Sequence, residues 1–338
     1  MNDIRDLTRE ELATELAAMG EPAFRAGQVF AWLYARGARS FDDFTDLPKG
    51  LRLKLAGRFG LRPLEAEGVL RARDGTEKVL FRLRDGWGIE TVVIPAGERR
   101  TLCLSTQAGC KFACAFCASG GHGFKRDLVP SEIVGQVLHV RASGPGDLTN
   151  LVFMGMGEPL DNYDNFVRAI RILNDPEGMG IAARRMTIST SGFVPGILRL
   201  AELGLQVNLS ISLHAADDGI RSRLMPINRR YPLAELLAAV RRYLSLGGRK
   251  ITFEYVLIAG VNDRLSDADG LARLGRRFRA KINLIPYSPV EGFDFRRPSP
   301  ERTRAFLRRL EEKGASATLR RSKGGDIRAA CGQLAGRF

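Results

Sequence analysis

The chain has few cysteines and lacks several common sequence signals. Only five cysteines occur in 338 residues, and a chain of this length buries enough apolar surface to fold without cross-links, so they are not a disulfide framework. The first twenty residues mix charges and lack the basic start and apolar centre of a secretory signal. No uncharged apolar run is long enough to span a membrane. We therefore expect a cytoplasmic protein, in which clustered cysteines indicate metal binding or catalysis more often than cross-links.

Phosphate-binding motifs are also missing. No GxGxxG follows a strand-like segment, and the chain contains no P-loop. No internal repeat recurs at a fixed period, and no tract is of low complexity. The usual support for a dinucleotide-binding enzyme or a simple nucleotide hydrolase is therefore absent.

Positive charge is in excess, with a formal net charge of +14. Residues 1–70 are close to neutral, whereas residues 296–328, directly before Cys331, hold eleven Lys and Arg against four acidic residues. Such an excess favours a polyanionic partner, because each phosphate contact releases counterions. A merely basic enzyme without such a partner is the other interpretation that composition allows.

Within the first hundred residues the sequence pattern changes once, from helical segments to strand-like alternation. Residues 7–20, 23–37 and 47–60 are predicted to be short helices, each ended by a glycine suited to a left-handed C-cap. Apolar alternation broken twice by Asp-Gly then predicts hairpin strands over residues 68–97. We expect an N-terminal helical domain (1–67), a β-hairpin linker (68–97) and a core with a C-terminal segment (98–338).

Beyond residue 100, strand-like segments alternate with helical ones. This alternation predicts an α/β fold with a parallel sheet, open or closed into a partial barrel. The six strand-like segments are TLCLSTQ, NLVFMGMG, MTISTSG, VNLSISLH, ITFEYVLI and KINLIPYS. In such sheets ligands bind at the carboxyl ends of the strands. That edge gathers the cysteine cluster together with Gly157, Glu158, Ser189, Ser212 to His214, and Asn283.

Three of the cysteines, Cys110, Cys114 and Cys117, form the pattern CxxxCxxC just after the first of these strands. A structural zinc site would need a fourth ligand, which His122 or Cys103 could supply. An electron-transfer iron–sulfur cluster would also need a fourth protein ligand. A four-iron cluster held by only three cysteines would leave one iron open to a substrate. The spacing alone leaves these three interpretations open.

The wider set of motifs resembles one family. CxxxCxxC with an aromatic residue, Phe116, before the last cysteine resembles the signature of radical S-adenosylmethionine enzymes. Four further motifs resemble the RlmN-type adenosine C2 methyltransferases of RNA: GMGEP (155–159), TISTSG (187–192), SISLHA (210–215) and DIRAACGQL (326–334). The resemblance covers nearly the whole chain. It implies a partial (β/α)6 radical-SAM barrel with a small N-terminal helical domain that binds RNA and a β-hairpin linker.

The resemblance implies two cofactors. A [4Fe-4S] cluster would be held by the three cysteines Cys110, Cys114 and Cys117, and its open iron would bind S-adenosyl-L-methionine and cleave it to a 5′-deoxyadenosyl radical. The Glu158 carboxylate suits this cofactor, because it can accept hydrogen bonds from an ammonium group. Seen alone, Glu158 would fit an ordinary turn and His214 a structural histidine equally well. The implied cofactor-binding residues are Gly157, Glu158, Ser189, Ser212, Leu213, His214 and Asn283.

The resemblance also assigns Cys331 as the methyl carrier. Adenine C2 lies between two ring nitrogens and is too electron-poor to attack a sulfonium methyl group directly. A thiolate can take the methyl by displacement, and Cys331 would do so as an S-methylcysteine intermediate. We expect Arg328, Lys323 and Arg321 to lower its pKa. Without the resemblance, Cys331 would be interpreted as an idle thiol.

Two further residues complete the implied relay. Cys103 matches the resolving thiol, which would release the product by forming a transient disulfide with Cys331. Glu90 matches the proton acceptor. Without the resemblance, Cys103 would be a small buried residue and Glu90 the solvent-facing residue of a half-exposed strand.

The expected function is formation of 2-methyladenosine in 23S rRNA, at the peptidyl-transferase centre, and in tRNA, beside the anticodon. It would consume two S-adenosylmethionine molecules per turnover and need an external electron donor such as flavodoxin or ferredoxin. We expect a monomer that binds no membrane, and a target base that is either flipped out of its stack or exposed by local remodelling of the RNA. The alternatives are a Cfr-type C8 methyltransferase and a non-catalytic, zinc-stabilised RNA-binding protein.

Overall fold

Three α-helices form the N-terminal module, as the sequence predicts. The computed structural model, which describes residues 1–144, 147–320 and 322–336, places α1 at Arg9–Ala18, α2 at Phe24–Phe30 and α3 at Lys49–Arg58. Thr8 begins α1 through a capping box with Glu11, which satisfies two backbone N–H groups at the helix start. Ala31–Ala35 continues α2 as a π-helix, and Ile4–Asp6 and Phe41–Asp43 are 3₁₀ turns.

The glycines that end these helices behave differently. Gly20 and Gly37 have φ values of +77° and +67°, so the predicted left-handed C-caps are confirmed at both. The same prediction is wrong at Gly60, whose φ is not in the left-handed region. Gly60 instead pairs with the start of the chain, donating to the Asn2 carbonyl (2.8 Å) and accepting from the Ile4 N–H (2.9 Å).

The next segment forms an antiparallel meander of four strands. These are β1 (Ala66–Arg71), β2 (Glu77–Arg82), β3 (Gly88–Ala96) and β4 (Arg99–Cys103). Asp-Gly turns connect β1 to β2 and β2 to β3, as predicted, with Gly75 and Gly86 at φ values of +81° and +86°. The pairing of β1 with β2 is interrupted by a bulge between Ala66 and Gly68.

A second, two-stranded sheet follows β4. It pairs β5 (Gln107–Ala108) with β6 (Arg126–Asp127), and the cysteine-rich loop and the four-residue helix α4 (Ala118–Gly121) lie between them. A Cβ at Gly109 would lie 1.8 Å from the Gly123 carbonyl oxygen, so only glycine allows the two ends of this loop to approach so closely.

The six predicted strands of the core are confirmed as parallel neighbours beginning with β4. The others are β7 (Asn150–Phe153), β8 (Met186–Thr190), β9 (Asn208–Ser212), β10 (Ile251–Leu257) and β11 (Lys281–Pro286). A further strand that the sequence did not suggest, β12 (Ala317–Leu319), pairs in parallel with β11. The ten-stranded sheet therefore runs β1-β2-β3-β4-β7-β8-β9-β10-β11-β12.

Helices separate the parallel strands and cover the outside of the barrel. They are α5 (Pro130–Ser143), α6 (Tyr163–Asn174), α7 (Val194–Glu202), α8 (Asp218–Leu224), α9 (Leu233–Ser245), α10 (Leu265–Arg277) and α11 (Pro300–Glu312). The pattern of α6 shows why: Phe166, Ile170 and Leu173 recur at helical spacing and are fully buried. The predicted α/β fold, a partial (β/α)6 barrel with an N-terminal helical module and hairpin strands, is confirmed.

The N-terminal module shares one hydrophobic core with the barrel. Polar contacts join the same two parts, including ion pairs of Arg9 with Asp175 and of Arg168 with Glu11, both at 2.8 Å. None of the helices in the described ranges is both long and apolar enough to cross a membrane.

Candidate active site

A cavity lies at the carboxyl ends of the barrel strands, where the sequence places the site. Four groups meet there: the cysteine loop, the loops after β7 and β8, the strands β9 to β11, and the C-terminal segment. The predicted site residues that line it are Cys110, Cys114, Cys117, Gly157, Glu158, Ser189, Ser212, His214 and Cys331. The predicted residues that do not line it are Leu213, Asn283, Cys103 and Glu90.

The three clustered cysteines lie on an irregular loop that the barrel holds at both ends. The Ala115 N–H donates to the Leu224 carbonyl at 2.8 Å. Phe116 packs edge-on against the ring of His214, with ring centroids 4.8 Å apart. The aromatic residue before the last cysteine thus fixes the loop against the strand ends.

The electrostatics of these thiols suit a positively charged occupant. Burial, with a smaller contribution from the charges of Cys117 and Glu158, raises the pKa of Cys110 to about 12. Burial also raises the pKa of Cys114 well above its usual value. Iron ions would supply the positive charge that lets such thiols become thiolates, so the donor set fits an iron–sulfur cluster.

A mononuclear metal site fits less well. Within residues 1–144, 147–320 and 322–336, no three His, Cys, Asp or Glu side chains converge closely enough to hold one metal ion. A zinc ion draws its thiolates to about 2.3 Å, whereas a cluster spreads them over several iron atoms. Neither His122 nor Cys103, the candidate fourth zinc ligands, lines the cavity with the three cysteines. The arrangement favours the cluster.

Gly157 and Glu158 form a tight corner after β7. Gly157 has a φ of +97°, and a Cβ there would lie 2.4 Å from the Cβ of Gln107, so glycine is required. The Glu158 carboxylate accepts from the Ser191 N–H (2.6 Å) and the Leu160 N–H (3.3 Å). Burial raises the pKa of Glu158, and these hydrogen bonds oppose that shift.

Ser191 is a cavity residue that the sequence did not single out. Its hydroxyl is buried and lines the cavity beside Ser189 and Glu158; it makes no well-formed hydrogen bond among the described residues but is close enough to the Glu158 carboxylate to lower the pKa of Glu158. The hydroxyl is therefore placed to hydrogen-bond a polar ligand bound next to Glu158. Its place within TISTSG was the available signal.

His214 is both structurally satisfied and part of the cavity wall. Its Nδ1 accepts from the Val256 N–H at 3.0 Å, so the ring proton lies on Nε2. Burial lowers the pKa of His214 to about 3, which keeps the ring neutral. A neutral Nε2–H is a hydrogen-bond donor rather than a cation.

Asn283 reaches the cavity only through Glu254, a second residue that sequence reasoning missed. The Asn283 amide and the Ser210 hydroxyl both donate to Glu254 Oε1, at 2.9 and 3.1 Å. Glu254 itself lines the cavity, and burial raises its pKa. An acid inside the apolar strand segment ITFEYVLI was a signal that could have identified it.

Leu213 contributes its backbone rather than its side chain. Its carbonyl accepts from Arg221 Nε at 3.1 Å, and Arg221 Nη2 donates to the carbonyls of Ser191 (2.7 Å) and Ser212 (3.2 Å). Arg221 is fully buried, and burial lowers its pKa to about 10. This one guanidinium ties the ends of β8 and β9 together, a role that no sequence pattern indicated.

The C-terminal segment brings Cys331 to the same cavity. The Ala118 N–H donates to the Gly332 carbonyl (2.8 Å), and the Ser119 hydroxyl donates to the Leu334 carbonyl (2.6 Å). The helix that follows the cysteine loop therefore holds the segment carrying Cys331.

The expected lowering of the Cys331 pKa is wrong. Burial of its thiol by the surrounding protein raises the pKa of Cys331 to about 11, although the residue exposes surface where it lines the cavity. Arg328 pairs with Glu291 (3.1 Å) and Lys323 with Asp74 (3.7 Å), so neither is directed at the thiol. Arg321 lies outside the described residues. Arg320 is the cation that lowers this pKa.

Cys103 lies just behind the cavity, at the end of β4. Burial, with a smaller contribution from Cys331, raises the pKa of Cys103 to about 12, so the two thiols are close enough to interact electrostatically. The Met154 N–H donates to the sulfur.

Glu90 is fully buried, so the interpretation of a solvent-facing strand residue is wrong. Strand register places it on the same face as Lys78 and Cys103. Lys78 Nζ lies 3.0 Å from Glu90 Oε1, and the Ala335 N–H donates to Glu90 Oε2 at 2.8 Å. Glu90 therefore contacts the segment that carries Cys331.

Known proteins resemble this chain over its full length. Residues 104–270 match the family described as "Radical SAM superfamily", and residues 2–60 match "Ribosomal RNA large subunit methyltransferase N-terminal domain". The chain is 50% identical to "Probable dual-specificity RNA methyltransferase RlmN" of Heliobacterium modesticaldum, covering 99% of this chain and 89% of that protein. It is 48% identical to "Dual-specificity RNA methyltransferase RlmN" of Geobacter sulfurreducens, covering 100% and 93%.

The fold is also matched by a solved structure. The crystal structure of a radical SAM methyltransferase from Sphaerobacter thermophilus superposes with a TM-score of 0.93 at 49% identity, over 100% of both chains.

Proposed function

The chain belongs to the RlmN-type radical S-adenosylmethionine RNA methyltransferases, and from this premise we propose that it methylates C2 of adenosine. The proposed substrates are an adenosine in the peptidyl-transferase centre of 23S rRNA and the adenosine beside the anticodon of some tRNAs. The observation that carries the proposal is the meeting of Cys331 with Cys110, Cys114 and Cys117 at one cavity.

We propose that Cys110, Cys114 and Cys117 hold a [4Fe-4S] cluster whose open iron binds S-adenosylmethionine. When bound, the cluster supplies the electron that cleaves this cofactor to a 5′-deoxyadenosyl radical. Glu158 would accept hydrogen bonds from the cofactor's ammonium group, and the Ser191 hydroxyl offers it one more hydrogen bond. The other proposed contacts are Gly157, Ser189, Ser212, Leu213, His214 and Asn283, the last through Glu254 and Leu213 through its backbone.

Cys331 is the proposed methyl carrier. Its thiolate attacks the sulfonium methyl carbon of one S-adenosylmethionine molecule, so a C–S bond forms on the protein while the bond from that methyl to the sulfonium breaks and S-adenosylhomocysteine leaves. Transfer of one hydrogen atom from that methyl group to the 5′-deoxyadenosyl radical would leave a carbon radical on Cys331 and give 5′-deoxyadenosine. A carbon radical can add to the electron-poor C2 position, which is not nucleophilic enough to take a methyl group directly from a sulfonium.

Release needs a second thiol and a base. Glu90 accepts the C2 proton, and the Cys103 thiolate attacks the sulfur of Cys331 and forms a disulfide. The C–S bond breaks with its electron pair on carbon, which takes up a proton and becomes the product methyl group. The odd electron introduced with the radical would return to the oxidised cluster that supplied it, as the aromatic ring is restored. The disulfide must then be reduced before the next turnover.

The cellular location, oligomeric state, electron donor, domain roles and exposure of the target base are also proposals. We propose a cytoplasmic monomer that takes electrons from a flavodoxin or ferredoxin. Its three parts are 1–67, 68–97 and 98–338, and the near-neutral first part either recognises RNA by shape or binds it through one basic face that the total charge conceals. The target base leaves its stack to reach the cavity, at a cost of a few kcal/mol.

An anaerobic assay tests the proposed reaction. The cluster-reconstituted protein receives S-adenosylmethionine, a reductant and either protein-free rRNA or unmodified tRNA, and nucleosides are identified by mass spectrometry against synthetic standards. We expect 2-methyladenosine. Appearance of 8-methyladenosine would overturn the C2 assignment, and unmethylated RNA from a protein that cleaves S-adenosylmethionine would overturn the substrate class.

A further inference from the structure

The amino end of strands β10 and β11 carries an unpaired cluster of positive charge, here called the cationic edge. The cationic edge consists of Arg241, Arg242, Arg249, Lys250, Arg276, Arg277, Arg279 and Lys281. All eight residues are exposed, and residues 241–250 and 276–281 contain no Asp or Glu. None of the eight forms an ion pair with any described residue.

Parallel pairing brings these two sequence segments together. Residues 241–250 lead from the end of α9 into β10, and residues 276–281 lead from the end of α10 into β11. The register pairs Thr252 with Lys281, so Lys250 and Lys281 begin neighbouring strands. The fold therefore concentrates eight positive charges that no single run of the sequence displays.

Helix dipoles explain only part of this cluster. Arg242, Arg276 and Arg277 lie in the last turns of α9 and α10, where cations stabilise a helix. Arg249, Lys250, Arg279 and Lys281 lie beyond the helices and gain nothing comparable. The more basic run 296–328 differs in that four acidic residues lie within it and four of its cations, Arg304, Arg309, Lys323 and Arg328, form ion pairs.

We propose that the cationic edge binds the phosphate backbone of the RNA substrate at a distance from the target nucleotide. The choice of RNA as the partner rests on the proposed function. Unpaired arginines with no acid between them match a polyanion, because each can contact phosphate and release counterions. An acidic protein would need several apolar anchors among the cations, whereas Leu246, 40% exposed, is the one large apolar side chain exposed within residues 241–250 and 276–281.

The cationic edge and the active-site cavity lie at opposite ends of β10. Glu254 and Val256 line the cavity, and Val256 lies six positions after Lys250. At about 3.3 Å per residue, the two sites are about 20 Å apart along the strand. An RNA whose loop enters the cavity must extend its helical part past the barrel to reach the cationic edge. A long RNA can contact both, whereas a minimal stem-loop contacts only the cavity end.

The test compares a full-length unmodified tRNA transcript with its isolated anticodon stem-loop. The variant carries Arg249→Gln, Lys250→Gln, Arg279→Gln and Lys281→Gln, and binding to the cluster-reconstituted protein is measured by fluorescence anisotropy without reductant over a salt series. We expect the Kd for the full-length tRNA to rise at least about tenfold, and its slope of log Kd against log salt to fall by about two to four. The Kd for the stem-loop should change less than about twofold.

A matched control removes four exposed charges elsewhere. It carries Arg296→Gln, Arg297→Gln, Arg302→Gln and Arg308→Gln, none of which forms an ion pair in the described part of the chain. If the control weakens tRNA binding equally, the effect belongs to total charge and the proposal is overturned. Equal losses for the tRNA and the stem-loop, or no loss for either, would also overturn it.

Two results separate this inference from the proposed function. One is that the wild-type protein forms no 2-methyladenosine while the variant still weakens binding of full-length tRNA and not of the stem-loop. That result would overturn the proposed reaction and support the cationic edge as an RNA-binding surface. If the variant binds both RNAs normally but is reduced more slowly by flavodoxin, the cationic edge binds a protein. That result would overturn RNA binding by the cationic edge and leave the proposed methylation reaction unaffected.

Discussion

The side chains of Lys78 and Glu90 form an ion pair that is almost completely closed to solvent, with exposed fractions of 3% and 0%. Lys78 also donates to the Arg328 carbonyl at 3.5 Å, and Glu90 accepts from the Ala335 N–H. The pair thus connects the hairpin strands to both sides of Cys331. Its position gives Lys78 a part in holding the proposed proton acceptor against the C-terminal segment.

Breaking this pair should destabilise the fold. Lys78→Met leaves the Glu90 carboxylate buried without its partner, and we expect the free energy of unfolding to fall by about 3–5 kcal/mol. Urea unfolding of the cluster-free protein under reducing conditions measures the change. The double variant Lys78→Met/Glu90→Gln is the control, since removing both charges should recover most of the loss. A double variant as unstable as the single one would contradict the explanation.

Replacing each of the two cysteines of the proposed relay should stop the reaction at a different step. Cys331→Ala should carry no protein-bound methyl group, because the acceptor sulfur is gone, whereas Cys103→Ala should accumulate a covalent RNA adduct, because release needs its thiol. Mass spectrometry of the protein and a denaturing gel of labelled RNA measure the two outcomes. The brown colour of the cluster should persist in both variants. Normal turnover in either variant would contradict the proposed methyl relay.

At the scale of elements, the short helix α4 joins the cysteine loop to the C-terminal segment. Ala118 and Ser119, its first two residues, make hydrogen bonds to Gly332 and Leu334. Residues far apart in sequence therefore meet through a four-residue helix. Local order at Cys331 depends on an element that the sequence gives almost no sign of.

Removing one of these hydrogen bonds should loosen the segment. Ser119→Ala should cost about 1 kcal/mol, which corresponds to about fivefold faster amide exchange in residues 330–335. Hydrogen–deuterium exchange of the peptide 326–336 measures this. Ser143→Ala, which removes a similar bond from an exposed serine to the His139 carbonyl, should leave that peptide unchanged. Equal exchange in both variants would contradict the role of Ser119.

The sequence predicts long, regular elements better than short or long-range ones. The six core strands were predicted because each contains an apolar run between turn or helix signals. Strands β5, β6 and β12 have only two or three residues, too few for any periodicity. Within the site, the cysteine motif is local and was found. Arg221 was missed because its role depends on three carbonyls that only the fold assembles.

At the scale of the whole molecule, the N-terminal module and the barrel share one core. Phe30 of α2 packs toward Gly178, in the loop before β8, where an added Cβ would lie 2.8 Å from the Phe30 ring. The Ser131 N–H at the start of α5 donates to Asp6 Oδ1 at 2.9 Å. The module is therefore packed as part of the barrel rather than tethered beside it.

The shared core predicts joint unfolding. In a Trp87→Phe variant, Trp32 is the remaining tryptophan and reports on the N-terminal module. We expect its fluorescence transition in urea to coincide with the loss of far-ultraviolet circular dichroism, because the module loses its core when the barrel unfolds. A Trp32 transition at clearly lower urea would show that the module unfolds independently.

The ten-stranded sheet ends in two edges, β1 and β12, and each is poorly suited to recruiting another chain. Strand β1 has a bulge after Ala66, and its Glu67 and Arg71 pair with Arg82 and Glu77 on the neighbouring strand. Strand β12 is only three residues long. Bulges, charges and short edges are the features by which natural sheets resist edge-to-edge aggregation. The open barrel therefore carries its own protection against amyloid-like growth.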